Sequence, residues 1–243
     1  MNFRDVFPRK KPILAMLHLK GESHEEILKL AQKEADLLIS CGVDGVIVED
    51  YFGDEEDVVA VLKWLKEERP HYCYGVNVLD QFPKSYLLAE EYGAKFMQVD
   101  SICGHLTPEE DAVYEQECKR YHSRNTVLIM GGVRFKYKEV LSGRSLKEDL
   151  ELGMERCDAI VVTGEGTGMN TDIKKIREFR SIIGDFPLIV GAGLTTHTVA
   201  EQLLVADGGI VGSCLKDTRK ADGDMSQAHT LEFMREVRTL RKE

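Results

Sequence analysis

The segment PLIVGAG (187–193) is a short apolar run that ends in glycines, and a helical pattern follows it. The same order of apolar run, turn and helical stretch recurs eight times along the 243 residues. The eight runs lie at 12–19, 45–49, 74–79, 95–100, 126–133, 159–163, 187–191 and 209–212. They are rich in Val, Ile and Leu with little polar alternation, which is typical of parallel strands buried on both faces.

The segments between these runs carry the start and stop signals of helices. Residues 23–40 have apolar side chains at spacings of three and four, begin with Ser23 and Glu26, and are followed by Gly42. This pattern predicts a capped helix that ends at a glycine. No low-complexity linker divides the chain. We therefore expect a single α/β domain over residues 1–243, a closed (β/α)8 TIM barrel, with a doubly wound open sheet as the alternative.

Charge and composition restrict the partners. A net charge of −10 disfavours nucleic acid and anionic membrane surfaces, and no apolar run approaches the roughly 20 residues that span a bilayer. The first eleven residues lack the apolar segment of a signal peptide, and the six cysteines form no CxxC pair. We expect a cytoplasmic protein with reduced thiols, without nucleic-acid binding or membrane insertion. A homo-oligomer is left open.

Three glycine-rich segments follow the sixth, seventh and eighth runs. In many barrels of this type the loops after strands seven and eight hold a phosphate. Glycine lets backbone N–H groups approach an anion without a Cβ in the way, although one such loop could equally be a tight turn. Because three loops share this feature, we predict an anion site. Its expected phosphate-binding residues are Gly164, Gly166, Gly191, Gly193, Gly212 and Ser213.

Polar residues at the carboxyl ends of the other runs are the candidates for catalysis and substrate binding, because active sites of barrels lie at that end. Carboxylates there are candidate general bases, a lysine could neutralise an enolate or form a Schiff base, and a histidine could shuttle protons. The expected catalytic residues are His18, Glu49, Asp100, Lys136 and Glu165. The expected substrate-binding residues are Asp50, Asn77 and Arg134.

Other types of site receive less support. His18, Glu49, Asp100 and His105 could together bind a divalent metal, but no HExxH-like spacing accompanies them. We therefore predict no cofactor and leave a divalent metal open. The chain has no GxSxG elbow and no GxxxxGK[ST] loop. Cys103 is the one cysteine placed in a loop at the barrel mouth, and we expect activity to be independent of the cysteines.

From Lys11 to about Val237 the sequence resembles the BtpA/SgcQ family of ribulose-phosphate-binding-type barrels. The segments that carry the resemblance are KPILAMLHL (11–19), GVDGVIVE (42–49), GVNVL (75–79), VVTGEGTG (161–168), VGAGLT (190–195) and ADGGIVGSCLK (206–216). The resemblance implies the barrel and its anion site. The namesake of the family is linked to photosystem I biogenesis, and another branch carries a nucleotidase label.

The chain departs from the family pattern at the chemical end. Asp50 and Asp100 stand where the family usually has asparagine, and of the polar groups after strand five only Lys136 is kept. We expect an enzyme that acts on a phosphorylated sugar or related small metabolite by abstracting a proton next to a carbonyl, as isomerases, epimerases and lyases do. One alternative is a non-catalytic assembly or regulatory factor. The other is a hydrolase of nucleotides or N-glycosidic bonds.

Overall fold

Eight parallel strands, β1 to β8 in chain order, close into a barrel in the computed structural model, which describes residues 1–242. The strands are β1 (Ile13–Leu17), β2 (Gly45–Glu49), β3 (Tyr74–Asn77), β4 (Phe96–Cys103), β5 (Leu128–Val133), β6 (Ala159–Val162), β7 (Leu188–Val190) and β8 (Gly208–Val211). Each strand pairs with the next, and β1 pairs with β8 through Ala15 and Val211. The predicted (β/α)8 barrel is confirmed, and the open sheet is wrong. Glu243, the last residue of the predicted domain, lies outside the described residues.

A short helix precedes β1, and helices that follow the strands form the outer layer. They are α1 (Phe3–Val6), α2 (His24–Ser40), α3 (Glu55–Glu68), α4 (Phe82–Tyr92), α5 (Pro108–His122), α6 (Leu146–Arg156), α7 (Ile173–Ile183), α8 (Val199–Val205) and α9 (Gln227–Arg241), with a 3-10 turn at Ser213–Leu215. The helix predicted from Ser23 is α2, and the Ser23 hydroxyl accepts the Glu26 N–H at 3.4 Å. Among residues 1–242, no helix is long and apolar enough to cross a membrane.

Strand β4 is longer than predicted. It continues past Asp100 through a register irregularity and ends at Cys103, which pairs with Val133 of β5. Cys103 is fully buried, so its expected place in a mouth loop is wrong. Two apolar residues, Ile102 and Cys103, extend the strand because they pack in the layer between the barrel and its helices.

The barrel axis is filled by alternate residues of the strands. Phe96 occupies the space that the absent side chain of Gly75 leaves, since a Cβ on Gly75 would lie 2.3 Å from its ring. At the amino end Phe3 and Phe7 close the barrel, with the ring centroids of Phe7 and Phe96 5.2 Å apart. Successive side chains of a strand point to opposite faces. At the carboxyl end of each strand, the same alternation places one further residue on the side of the barrel axis. These residues are His18, Glu49, Asn77, Asp100, Gly132, Thr163, Gly191 and Gly212.

A buried network of charges holds the loop between β5 and α6. Asp149 of α6 accepts hydrogen bonds from Arg134 Nε at 2.8 Å and from Arg144 Nε at 2.9 Å. Asp111 of α5 accepts from Arg144 Nη2 at 2.8 Å and from Arg156 Nη1 at 2.7 Å. The loop that carries Arg134 and Arg144 is thereby attached to two helices.

We expect Asp149→Ala to lower the free energy of unfolding by about 1–3 kcal/mol, because it removes a fully buried carboxylate and leaves the half-buried guanidinium groups of Arg134 and Arg144 without that partner. The matched control is Glu151→Ala on the exposed face of the same helix, where a change within about 0.5 kcal/mol is expected. Urea unfolding of both variants measures the difference. Equal effects of the two substitutions would contradict a role for the network, and Asp149→Asn provides a milder variant if Asp149→Ala does not fold.

Candidate functional site

A cavity of about 570 Å³ opens at the carboxyl ends of the strands. Most of the residues predicted for catalysis and for phosphate binding line this one cavity. They are His18, Glu49, Asp100, Lys136, Gly191, Gly193, Gly212 and Ser213. The two halves of the predicted site, acids and glycine loops, therefore face a common space.

Two carboxyl groups, the buried one of Glu49 and the half-buried one of Asp100, share one hydrogen-bond donor. The side-chain nitrogen of Asn77 donates to Glu49 Oε1 at 2.9 Å and to Asp100 Oδ1 at 3.0 Å. Burial, together with the nearby Asp100, raises the pKa of Glu49 to about 8. Burial also raises the pKa of Asp100, against the lowering effect of its hydrogen bond from Asn77. Glu49 consequently carries a proton in most molecules at pH 7.

His18 lies beside Glu49 as a neutral imidazole. Burial is the main cause that lowers the pKa of His18, to about 4. Its Nδ1 lies 3.2 Å from the carbonyl oxygen of Ala221, and because a carbonyl only accepts, Nδ1 carries the ring proton. The Nε2 lone pair then faces Glu49 Oε2 at 3.6 Å. The pair is uncharged at neutral pH, rather than a salt bridge.

Lys136 brings a positive charge to the acids from the loop after β5. Its Nζ donates to Thr167 Oγ1 at 3.1 Å, and its backbone N–H donates to Thr163 Oγ1 at 3.1 Å. The two contacts connect this loop with β6 and the loop that follows it. The charge of Lys136 lowers the pKa of Glu49 and of Asp100, in opposition to burial.

The glycine-rich loops after β6, β7 and β8 approach one another closely. Gly193 has a φ of 69°, and a Cβ there would lie 2.0 Å from the carbonyl oxygen of Met169. A Cβ on Gly168, which has a φ of 73°, would lie 3.3 Å from Ser213 Oγ. The N–H groups of Gly193 and Ser213 have no hydrogen-bond partner within residues 1–242. Both are therefore available to a ligand.

Two of the predicted glycines serve the folding of their own loop. A Cβ on Gly164 would lie 2.7 Å from the carbonyl oxygen of Asn170, and one on Gly166 would lie 2.9 Å from the Tyr137 hydroxyl. Close packing of this loop on itself and on Tyr137 explains both positions. The structure does not bring Gly164 or Gly166 to the cavity wall.

Three further predicted residues lie away from the cavity. Asp50 accepts the N–H of Leu79 at 2.9 Å and so joins the loops after β2 and β3. Arg134 points into the buried charge network. Glu165 is exposed to solvent, and its charge raises the pKa of Lys175 against the lowering effect of burial. Asn77, by contrast, takes a central place between the two acids.

Gln98 and Arg219 are among the cavity residues that the sequence analysis did not single out. Gln98 points inward from β4, its Nε2 lies 3.3 Å from Asp100 Oδ1, and its buried Oε1 has no hydrogen-bond partner within residues 1–242. The alternation of β4 could have identified Gln98, two residues before Asp100. Arg219 reaches the cavity from the loop after β8, where its Nη2 lies 3.4 Å from Glu232 Oε2. No strand pattern extends into that loop, so nothing in the sequence indicated Arg219.

The four residues considered as metal ligands are not gathered. His105 packs its ring edge-on against Tyr114, with centroids 5.7 Å apart, outside the cavity. Within residues 1–242, three potential ligand atoms come within 4.8 Å of one another at His24, Asp54 and Asp57. Two of these residues form the capping box of α3, in which Asp57 accepts the Asp54 N–H at 3.0 Å and Asp54 accepts the Asp57 N–H at 3.1 Å.

The sequence profile of the BtpA family matches residues 9–239. The chain belongs to the BtpA family. An uncharacterized protein of Methanocaldococcus jannaschii is 26% identical over 89% of this chain and 91% of its own length. The photosystem I biogenesis protein BtpA of Synechocystis is 24% identical over 89% of this chain and 84% of its own length. The resemblance found in the sequence is thereby confirmed.

Solved structures share the fold of this BtpA-family protein at low sequence identity. Phosphoribosyl anthranilate isomerase of Thermus thermophilus superposes with a TM-score of 0.63 at 15% identity, over 94% of this chain and 99% of its own. Orotidine 5'-phosphate decarboxylase of Pyrococcus horikoshii gives a TM-score of 0.59 at 15% identity, over 93% and 99%. These similarities establish the barrel, and they leave the reaction open.

We expect Glu49→Gln to make the BtpA-family protein relatively more stable as the pH rises. The unfolded chain loses the Glu49 proton near pH 4.5 and the folded chain near pH 8, so between these values rising pH favours unfolding of the wild type. Glutamine cannot ionise. The difference in free energy of unfolding should therefore shift towards the variant by about 4 kcal/mol between pH 5 and pH 9.

Urea unfolding at pH 5, 7 and 9 measures this shift. Glu67→Gln on the exposed face of α3 is the matched control, with no change expected across the series. If the free energy of unfolding of Glu49→Gln depends on pH in the same way as that of Glu67→Gln, Glu49 ionises as an ordinary carboxyl.

Inorganic phosphate should raise the melting temperature of the wild type, and Gly193→Ala should abolish this rise. The added Cβ would collide with the Met169 carbonyl oxygen and separate the loops after β6 and β7. Gly184→Ala is the control, because Gly184 has a similar φ of 60° and nothing within 4 Å of an added Cβ. A ligand at about 100 times its Kd adds about 2.7 kcal/mol, which a thermal shift detects. An equal phosphate effect in both variants would place the anion elsewhere.

Proposed function

We propose that this BtpA-family protein is an enzyme that binds a phosphorylated sugar or a related small metabolite and transfers a proton at a carbon next to a carbonyl. Isomerases, epimerases and lyases perform this step. One observation carries the proposal: a single cavity holds the glycine loops 191–193 and 212–213 together with the acids Glu49 and Asp100.

The glycine loops supply the means to hold the phosphate. Unpaired N–H groups at Gly193 and Ser213 line the cavity wall, and bare backbone can approach the oxygens of an anion. Arg219 lines the same cavity, with its guanidinium bound to the Cys214 carbonyl and beside Glu232. Attachment at this end would orient the carbon chain of the substrate towards the acids.

Glu49 has the properties of the acid–base group. A general acid or base works best when its pKa lies near the operating pH, and burial brings the pKa of Glu49 to about 8. In its ionised form Glu49 would take the proton from carbon. Asp100, bridged to Glu49 by Asn77, would offer a second carboxyl to the neighbouring atom of the substrate.

Lys136 and His18 would assist the proton transfer. Removing a proton next to a carbonyl leaves negative charge on the oxygen, and the Lys136 ammonium is positioned by Thr167 to stabilise it. Because Nδ1 of His18 donates to Ala221, its Nε2 can only accept, from protonated Glu49 or from a substrate hydroxyl. The unpartnered Oε1 of Gln98 is a further acceptor for a hydroxyl.

A second candidate function is a non-catalytic assembly factor. The name of the Synechocystis relative, a photosystem I biogenesis protein, favours it. The names of the isomerase and the decarboxylase that share the fold refer to phosphorylated compounds, which agrees with the enzymatic proposal. The two functions differ in whether a bound sugar phosphate exchanges protons with water.

Wild-type protein incubated in D₂O with a panel of aldose and ketose phosphates should incorporate deuterium next to the carbonyl of at least one compound. Glu49→Gln should slow the exchange by about 10²–10⁴-fold, the usual contribution of a general acid–base group. Proton NMR measures the rate, and isothermal titration with the same compound measures affinity, which should change much less.

Glu67→Gln again serves as the control, with unchanged exchange expected because this side chain is exposed on α3. Binding of sugar phosphates without exchange in the wild type would contradict proton transfer and favour the assembly factor. A rate of exchange in Glu49→Gln equal to that of the wild type would mean that another group acts as the base.

A further inference from the structure

Tyr51 contributes an exposed aromatic face to the cavity. It follows β2 by two residues, and its ring lies over His18, with centroids 4.9 Å apart and an interplanar angle of 31°. Phe52 meets Tyr51 edge-on at 4.8 Å. Despite these contacts Tyr51 remains 38% exposed. An aromatic ring held open at the entrance of a cavity is a surface on which a planar group can stack.

Tyr137 contributes a second exposed face from the loop after β5. Its φ of 64° is rare for a bulky residue, and such strain persists only where the surrounding structure maintains it. The phenol oxygen accepts the N–H of Thr167 at 2.7 Å, which fixes the ring at the mouth. The side chain is nevertheless 72% exposed, so the strained backbone presents the ring to the cavity opening instead of burying it.

The two rings come from strands other than those that carry the glycine loops, because Tyr51 follows β2 and Tyr137 follows β5. Each ring still adjoins the anion site. Tyr51 covers His18, whose ring lies 3.3 Å from a Cβ placed on Gly212, and the Tyr137 phenol binds Thr167 next to Gly168. A ligand with its phosphate at Gly193 and Ser213 would therefore share the cavity with both rings.

The size of the cavity suits a ligand that carries both a phosphate and a ring. Its volume of about 570 Å³ lies within the roughly 300–1,000 Å³ that pockets for drug-sized ligands have. Tyr51 and Tyr137 line this same cavity together with the glycine loops.

We propose that the substrate is a phosphorylated sugar that also carries a planar aromatic or heteroaromatic ring, and that this ring stacks on Tyr51 and Tyr137. The inference rests on the proposed function, since it takes the phosphate to be bound at the glycine loops. The acids then act on the sugar between the two ends. Phosphate and ring together would set the length of substrate that the site accepts.

Calorimetric titration of the whole chain with four probes tests the two halves separately. Uridine 5'-monophosphate and adenosine 5'-monophosphate differ from ribose 5-phosphate by the ring, and uridine differs from uridine 5'-monophosphate by the phosphate. We expect each nucleotide to bind at least about tenfold more tightly than ribose 5-phosphate, which corresponds to about 1.4 kcal/mol. Uridine should bind much more weakly than uridine 5'-monophosphate.

Leucine substitutions at the two tyrosines remove the aromatic face and keep apolar bulk. In Tyr51→Leu and in Tyr137→Leu the advantage of the nucleotides should fall below about threefold, while the affinity for ribose 5-phosphate changes little. Tyr51→Phe is the matched control, because it retains the ring and should retain the advantage. Tyr137→Phe retains the ring but loses the hydrogen bond from Thr167, so an advantage between those of the wild type and Tyr137→Leu is expected. Far-ultraviolet circular dichroism establishes that each variant is folded.

Each outcome is decisive. Equal binding of ribose 5-phosphate and both nucleotides in the wild type overturns the ring site and leaves the phosphate site intact. An unchanged advantage in both leucine variants places the ring elsewhere and also overturns the inference. Equal binding of uridine and uridine 5'-monophosphate, or no binding of any phosphate ester, overturns the proposed anion site and this inference with it.

Discussion

The alternation of side chains along parallel strands determines every other feature of the site. In a closed barrel each strand directs every second residue towards the axis, and the last inward residue of each strand reaches the mouth. Apolar side chains such as Met16 and Ile210 fill the axis below, and they form the floor of the cavity. Above them, different strands end in different types of residue, with acids on β2 and β4 and glycines on β7 and β8. A shift of one residue in any strand would turn its functional group into the apolar layer beneath the helices.

This constraint makes the acids buried, and burial has an electrostatic consequence. Carboxylates in a low-dielectric environment are costly, so the structure compensates by sharing the Asn77 amide and by placing Lys136 nearby. The compensation is incomplete, because the pKa values of Glu49 and Asp100 remain raised. A proton therefore resides on Glu49 at neutral pH beside a neutral His18. Groups in that state are prepared to exchange protons, which is the property used in the proposed function.

Ion pairs outside the cavity attach the loops of the mouth to the surrounding helices. Asp149 binds the loop after β5 through Arg134 and Arg144. On the other side, Lys216 Nζ lies 2.9 Å from Glu34 Oε1, with both side chains buried, and Glu34 also accepts the N–H of Met225. This pair anchors both ends of the loop after β8, whose middle supplies the carbonyl that orients His18. Charges far from the substrate thus determine the tautomer of a group that faces it.

The sequence by itself determined the barrel, its eight strands to within a few residues, and the mouth as the place of the acids and glycines. These features follow from local patterns, since apolar runs, caps and glycines act through near neighbours in the chain. Only the tertiary structure decided three other features. Asn77 pairs with both acids, Arg134 binds Asp149 instead of facing the cavity, and Arg219 and Tyr137 line the cavity. Each depends on contacts between loops that are distant in sequence and have no periodic pattern. Polar side chains in such loops find their partners across the barrel, and the local sequence carries no signal of which partner lies opposite.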